Sequence, residues 1–149
     1  MAGFKFKFQP ILDIRQQIED VRKFEMAKAV SCCQEEKEKL SEFKNTEIRY
    51  IQEVSEEVSG GMDLSKIREC NSYLLHIRKV IHNQKQAVNE AEQKVEESRN
   101  KLKTALIEKK TMENLRDKHA HEYTKEQIRL EQKITDEITS YKYKVKSGD

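Results

Sequence analysis

The chain has 149 residues, 38% of them charged and 36% hydrophobic, with no tryptophan and a formal net charge of +2. An ordinary globular domain carries roughly 25% charged and 45–50% apolar residues, so a thick core is excluded; what remains is disorder or a fold with a narrow buried seam. The 29 basic and 27 acidic residues are interleaved, which suits the solvated faces of a coiled coil and argues against the basic stripe of a nucleic-acid binder.

The opening Met1-Ala2-Gly3-Phe4-Lys5-Phe6-Lys7-Phe8 alternates Phe and Lys and lacks the apolar core and cleavage site of a secretion signal. No stretch approaches the ~20 apolar residues of a membrane span, so no direct membrane insertion is expected. Cys32, Cys33 and Cys70 are an odd number without disulfide-framework spacing, as suits a reducing cytoplasm.

Pro10, the only proline, fits the first turn of a helix, where its missing N–H costs nothing. A first helix is expected over about residues 10–58, with an apolar seam at Ile11, Ile14, Ile18, Val21, Met26, Val30, Cys33, Leu40, Ile51, Val54 and Val58. The phase slips between Val21 and Met26, so the heptad is expected to break there. Ser59-Gly60-Gly61-Met62-Asp63 reads as the turn: glycine supplies the left-handed closing residue, and Asp63 or Ser65 can cap the next helix.

The second helix, about residues 64–145, keeps a seven-residue register through Ile67, Cys70, Leu74, Ile77, Ile81, Gln84, Val88, Ala91, Val95, Ser98, Leu102 and Ala105. Small residues at Ala91, Ser98 and Ala105 allow close approach of the partner helix. Beyond Leu106 the pattern loosens. The fold class expected is therefore all-α: one hairpin over residues 1–149, two long helices in an antiparallel coiled coil, the second longer. Since both helices rise equally per residue, paired positions have numbers adding to about 122. Pro10 then faces Met112, and roughly thirty residues of the second helix overhang.

Off the expected seam stand Phe43 and Tyr50 on the first helix and Tyr73 and Val80 on the second, the latter two flanking Ile77. The pairing rule puts Phe43 near Val80 and Tyr50 near Tyr73. On one side of the pair they form an apolar patch suited to protein docking; otherwise they only widen the seam.

No phosphate-binding glycine loop follows Gly60-Gly61. Adjacent Cys32 and Cys33 diverge by about 100° on a helix and cannot share one zinc ion, and His119 and His121 have the wrong spacing for one helical face. Solvated carboxylates lack the shifted pKa values of acid–base catalysis. No enzyme activity, cofactor or metal is expected.

The run Phe4-Lys5-Phe6-Lys7-Phe8-Gln9-Pro10-Ile11-Leu12-Asp13-Ile14-Arg15, and the turn Gly60-Gly61-Met62-Asp63-Leu64-Ser65 leading through Ile67-Arg68 to Tyr73-Leu74-Leu75-His76-Ile77-Arg78-Lys79-Val80-Ile81, resemble the flagellar export protein family FliJ. The short-arm, long-arm plan resembles it too, over the whole chain. The resemblance implies a cytoplasmic shaft of the flagellar type III export apparatus, similar to the central stalk of rotary ATPases and peripherally associated with the inner-membrane apparatus. Its implied partners are the hexameric export ATPase, the cytoplasmic domain of the large export-gate protein, and export chaperones. The implied gate-binding residues are Phe43, Tyr50, Tyr73, Ile77 and Val80. By analogy with rotary shafts the ring-facing part is the N-terminal end and the overhang, with Leu115, Tyr123, Leu130, Ile134 and Ile138 as candidates. A self-associating structural coiled coil is the alternative.

Overall fold

The computed structural model describes residues 3–148; Met1, Ala2 and Asp149, at the limits of the expected hairpin, lie outside them. The described residues form two helices and no strand: α1, Gln9–Ser59, and α2, Leu64–Ser147. They pack against each other, and α2 is the longer, as expected. The helix boundaries lie at Pro10 and at the paired glycines. Pro10 sits in the first turn, where the Ile11 and Leu12 amides donate to the Phe8 carbonyl at 3.0 and 3.1 Å. After Ser59, the Gly60 amide donates to the Glu56 and Glu57 carbonyls, and the Gly61 amide to Val58. Gly61 has φ of +87°, the left-handed region that costs a residue with a Cβ about 1–2 kcal/mol. The Ile67 amide then donates to the Asp63 carbonyl, opening α2.

The described residues divide into two compact units. The first runs from Asp20 to Lys103 and holds the turn. Its α2 seam follows the expected register: Cys70, Ile77, Ile81, Val88 and Ala91 are buried, Leu74, Gln84, Val95, Ser98 and Leu102 half-buried, and only Ile67 is exposed. Its α1 seam is Met26, Cys33, Leu40, Glu47 and Val54, with Arg22, Ala29, Glu36, Phe43 and Tyr50 as the second set. Both are unbroken sevens. Val21, Val30, Ile51 and Val58, expected on the seam, are exposed instead. Polar layers match across the pair: Gln84 donates through Nε2 to the Glu36 carbonyl at 2.9 Å and to its carboxylate, and Glu47 pairs with Arg78 at 2.8 Å.

The second unit joins the residues up to Glu19 with those from Thr104 onward. Here the first-arm expectation is corrected most. Leu12 and Glu19 are buried, Arg15 and Gln16 are half-buried, and Ile11 and Ile14 lie outside, 43% and 54% exposed. Leu12 and Glu19 are seven residues apart and continue the phase of Met26 and Cys33, so no slip occurs between Val21 and Met26. The cause is ionic. Glu19 Oε2 lies 2.8 Å from Lys109 Nζ, and Arg15 pairs with Glu108, so charged residues fill seam positions that composition alone assigns to isoleucines.

The overhang is also shorter than expected. Before α1 begins, residues 3–8 run as a non-helical strap along α2. The Phe4 ring lies 5.7 Å from Tyr123, and Phe6 lies 5.8 Å from His119 and from Phe8. Phe6 is buried. The strap thus carries the first arm past Met112, and continuous exposure starts only at Ile128. No helix among the described residues is long and apolar enough to cross a membrane.

Candidate protein-docking surfaces

The turn-proximal residues named from the sequence share one environment in the Asp20–Lys103 unit. Tyr50 and Tyr73 meet ring to ring, with centroids 4.3 Å apart and planes inclined by 52°. This is the pairing expected from the turn. The Tyr50 hydroxyl hydrogen-bonds Cys70, and this bond, with partial desolvation and the electrostatic influence of the Cys70 sulfur, pushes the phenol pKa up to about 12. Cys33 and Cys70 are buried and Cys32 exposed, so the first two behave as the small seam residues expected.

One flank carries the set. Thr46 and Val80 stand three heptads from Glu25 and Lys101, in the same phases. Glu25 and Lys101 face each other closely enough that Lys101 adds to the fall in the Glu25 carboxyl pKa, whose largest cause is the hydrogen bond from Arg22. Tyr73 lies one heptad from Val80 on the same edge. Phe43 and Tyr50 underlie this edge from α1 and are half-buried; Val80 is half-buried, and Tyr73 is the most exposed of the set at 39%. Ile77, only 7% exposed, supports the patch from beneath. Ile48 and Leu75, which the sequence reading did not select, are 55% and 61% exposed in the same unit. Farther from the turn, the small residues Ala29, Ala87, Ala91 and Ser98 line a shallow open groove edged by lysines and glutamates.

The five residues named for the other end fall in the second unit and divide there. Leu115 and Tyr123 are half-buried, Tyr123 against Phe4. Leu130, Ile134 and Ile138 are 43%, 57% and 51% exposed. Beyond them Tyr141, Tyr143 and Val145 are exposed as well, among Lys142, Lys144 and Lys146. The strap contacts on His119 had no periodic signal in the sequence, because the strap is not helical. Among the described residues no group of His, Cys, Asp or Glu is placed to hold a metal ion.

The family model described as "Flagellar FliJ protein" matches residues 4–148. A solved structure described as a putative YscO homolog, CT670, from Chlamydia trachomatis superposes with a TM-score of 0.65. The match covers 100% of this chain and 99% of that one at 20% sequence identity, a likeness of fold. Comparison with curated protein sequences gives no match.

Proposed function

Because the chain belongs to the FliJ family, whose members are components of type III export, we propose that it is a cytoplasmic adaptor shaft of a flagellar protein-export apparatus. In this reading it links the hexameric export ATPase to the membrane export gate, promotes assembly of the ATPase ring, and escorts export chaperones. It associates peripherally with the inner-membrane apparatus and acts through surfaces rather than through catalysis. The observation that carries the proposal is the family match across residues 4–148.

Tyr73 and Val80 offer the outer contacts to the cytoplasmic domain of the large gate protein, backed by Phe43 and Tyr50, with Ile77 holding the helices beneath them. Their partial burial supports a small, pre-organised contact of the kind in which a few aromatic anchors dominate binding. Leu115, Tyr123, Leu130, Ile134 and Ile138 face the ring, with the last three exposed for it.

Alanine at Phe43, Tyr50 and Tyr73 together tests the gate assignment. Capture of the gate's cytoplasmic domain is expected to be lost while helicity measured by circular dichroism persists; undiminished capture overturns the assignment. Removing residues 128–149 is expected to abolish stimulation of ATPase ring assembly.

A further inference from the structure

We propose that the turn-proximal flank opposite the Tyr73–Val80 edge is a docking groove for an acidic amphipathic helix of a partner protein. The surface lies wholly within the Asp20–Lys103 unit, and it is independent of the export-gate assignment.

Heptad phase tells the two flanks of the helix pair apart. On this side Val30, Gln34 and Lys37 of α1 and Glu92, Glu96 and Arg99 of α2 line a shallow groove. None of them shares a phase with Thr46 or Val80. Two heptads nearer the turn, the same phases hold Lys44, Ile48 and Ile51 on α1 and Arg78, His82 and Lys85 on α2. Leu75 lies one heptad beyond His82. All seven are exposed.

The charges on this stretch do not serve the hairpin itself. Lys37 and Glu92 are ion-paired at 3.0 Å. One heptad nearer the turn the same two phases hold Lys44 and Lys85, so two lysines face each other where the pair above them has opposite signs. Facing like charges oppose helix pairing, and among the described residues neither lysine has a carboxylate partner. Glu47, the one nearby acid, is taken by Arg78 at 2.8 Å. From Ser41 to Val58 and from Arg68 to Asn89, these phases hold no Asp or Glu, although signs are interleaved over the chain as a whole. An anionic partner complements such a surface.

The aliphatic residues say what kind of anion. Ile48, Ile51 and Leu75 lie on the turn side of the two lysines, so the occupant must offer apolar contact there and carboxylates at Lys44 and Lys85. A small free anion would leave the aliphatics uncovered. Both walls of the groove are helices without an open backbone edge, so a partner strand has nothing to pair with. A third helix laid in the groove covers the aliphatics side chain against side chain. Leu75 and Lys85 stand about 15 Å apart along α2, a length that about three turns of a partner helix span. With Arg78 already paired, the basic residues left on this flank, Lys44, Arg68 and Lys85, fall short of the roughly four to eight of a lipid-binding cluster. Because Tyr73 and Val80 lie on the other edge, the turn-proximal end can hold two partners at once.

Fluorescence anisotropy with the full chain tests the groove. The probe is a labelled peptide of about three heptads with leucine at the first and fourth positions and glutamate at the fifth and seventh. A second peptide carries lysine in place of glutamate. The glutamate peptide is expected to bind and the lysine peptide not, with affinity falling as salt rises. Lys44→Glu with Lys85→Glu should weaken the glutamate peptide at least about tenfold and admit the lysine peptide. Ile51→Ser with Leu75→Ser should weaken it by a similar factor at every salt concentration. All four positions are exposed, so helicity by circular dichroism should be unchanged in both variants. A glutamate peptide that does not bind, equal binding of the two peptides, or indifference to the lysine reversal overturns the proposal. So does tighter retention on phosphatidylserine vesicles or duplex DNA that the same reversal abolishes. No export component enters the assay, so its failure leaves the gate assignment standing.

Discussion

At the scale of single residues, stability in the second unit centres on Glu19, only 3% exposed, and its ion pair with Lys109. Such a pair contributes modestly as a pair but strongly when broken, because the remaining charge stays in the seam. Glu19→Ala should cost about 3 kcal/mol in urea-induced unfolding, the low end for breaking a buried pair, since Lys109 also approaches Glu113 at 3.7 Å. Replacing both Glu19 and Lys109 with leucine should be neutral or stabilising. This pair also explains what the sequence concealed. Ile11, Ile14, Ile18 and Val21 repeat at helical spacing as well as any seam does, whereas Leu12, Arg15 and Glu19 look like an exposed face until their partners Glu108 and Lys109 are known. Tyr50 gives a second residue-level test. Its folded pKa, about 12, lies above the ordinary 10, so its stabilising contribution is complete below pH 10 and is lost as pH rises from 10 through 12. The phenolate absorbance of Tyr50 should therefore appear near pH 12, and Cys70→Ala should bring it back toward 10.

At the scale of elements, α2 was legible in the sequence because its seam residues through Ala105, Gln84 excepted, are apolar or small and recur on a seven-residue register. The turn was legible because two adjacent glycines interrupt an otherwise glycine-poor chain. The strap was not, since three aromatics in non-helical backbone have no period to read; their partners His119 and Tyr123 lie more than a hundred residues away in sequence. Phe6 packs against both Phe8 and His119, so Phe6→Ala should destabilise the fold by about 3 kcal/mol, seen as a lower denaturant midpoint. The same change should shift the His119 ring resonances in NMR spectra, as the aromatic ring above them is removed. Unmoved His119 resonances would count against the strap as described. Of the docking residues, the Tyr50–Tyr73 contact was foreseeable from the turn position alone. The burial of Ile77 followed from its register. The half-burial of Phe43 and Tyr50 did not, because it depends on the true α1 phase.

For the molecule as a whole, folding and docking draw on different residues. The apolar residues from Ile128 to Val145 are all exposed and join no intramolecular seam. Deleting residues 128–149 should therefore change the free energy of unfolding of the remainder by less than about 0.5 kcal/mol, as for other surface changes, in a urea titration run at low protein concentration. Ring stimulation should disappear with that deletion. A large loss of stability would mean that this end takes part in the intramolecular core.

The reversal of the chain depends on one torsion, the positive φ of Gly61. Replace that glycine by a β-branched residue and the cheapest local conformation becomes continuous helix from α1 into α2. Each half would then have to find its complement on another molecule, and two straightened chains could exchange halves while preserving every seam contact of the parent. Gly61 is thus what makes those contacts a property of one polypeptide.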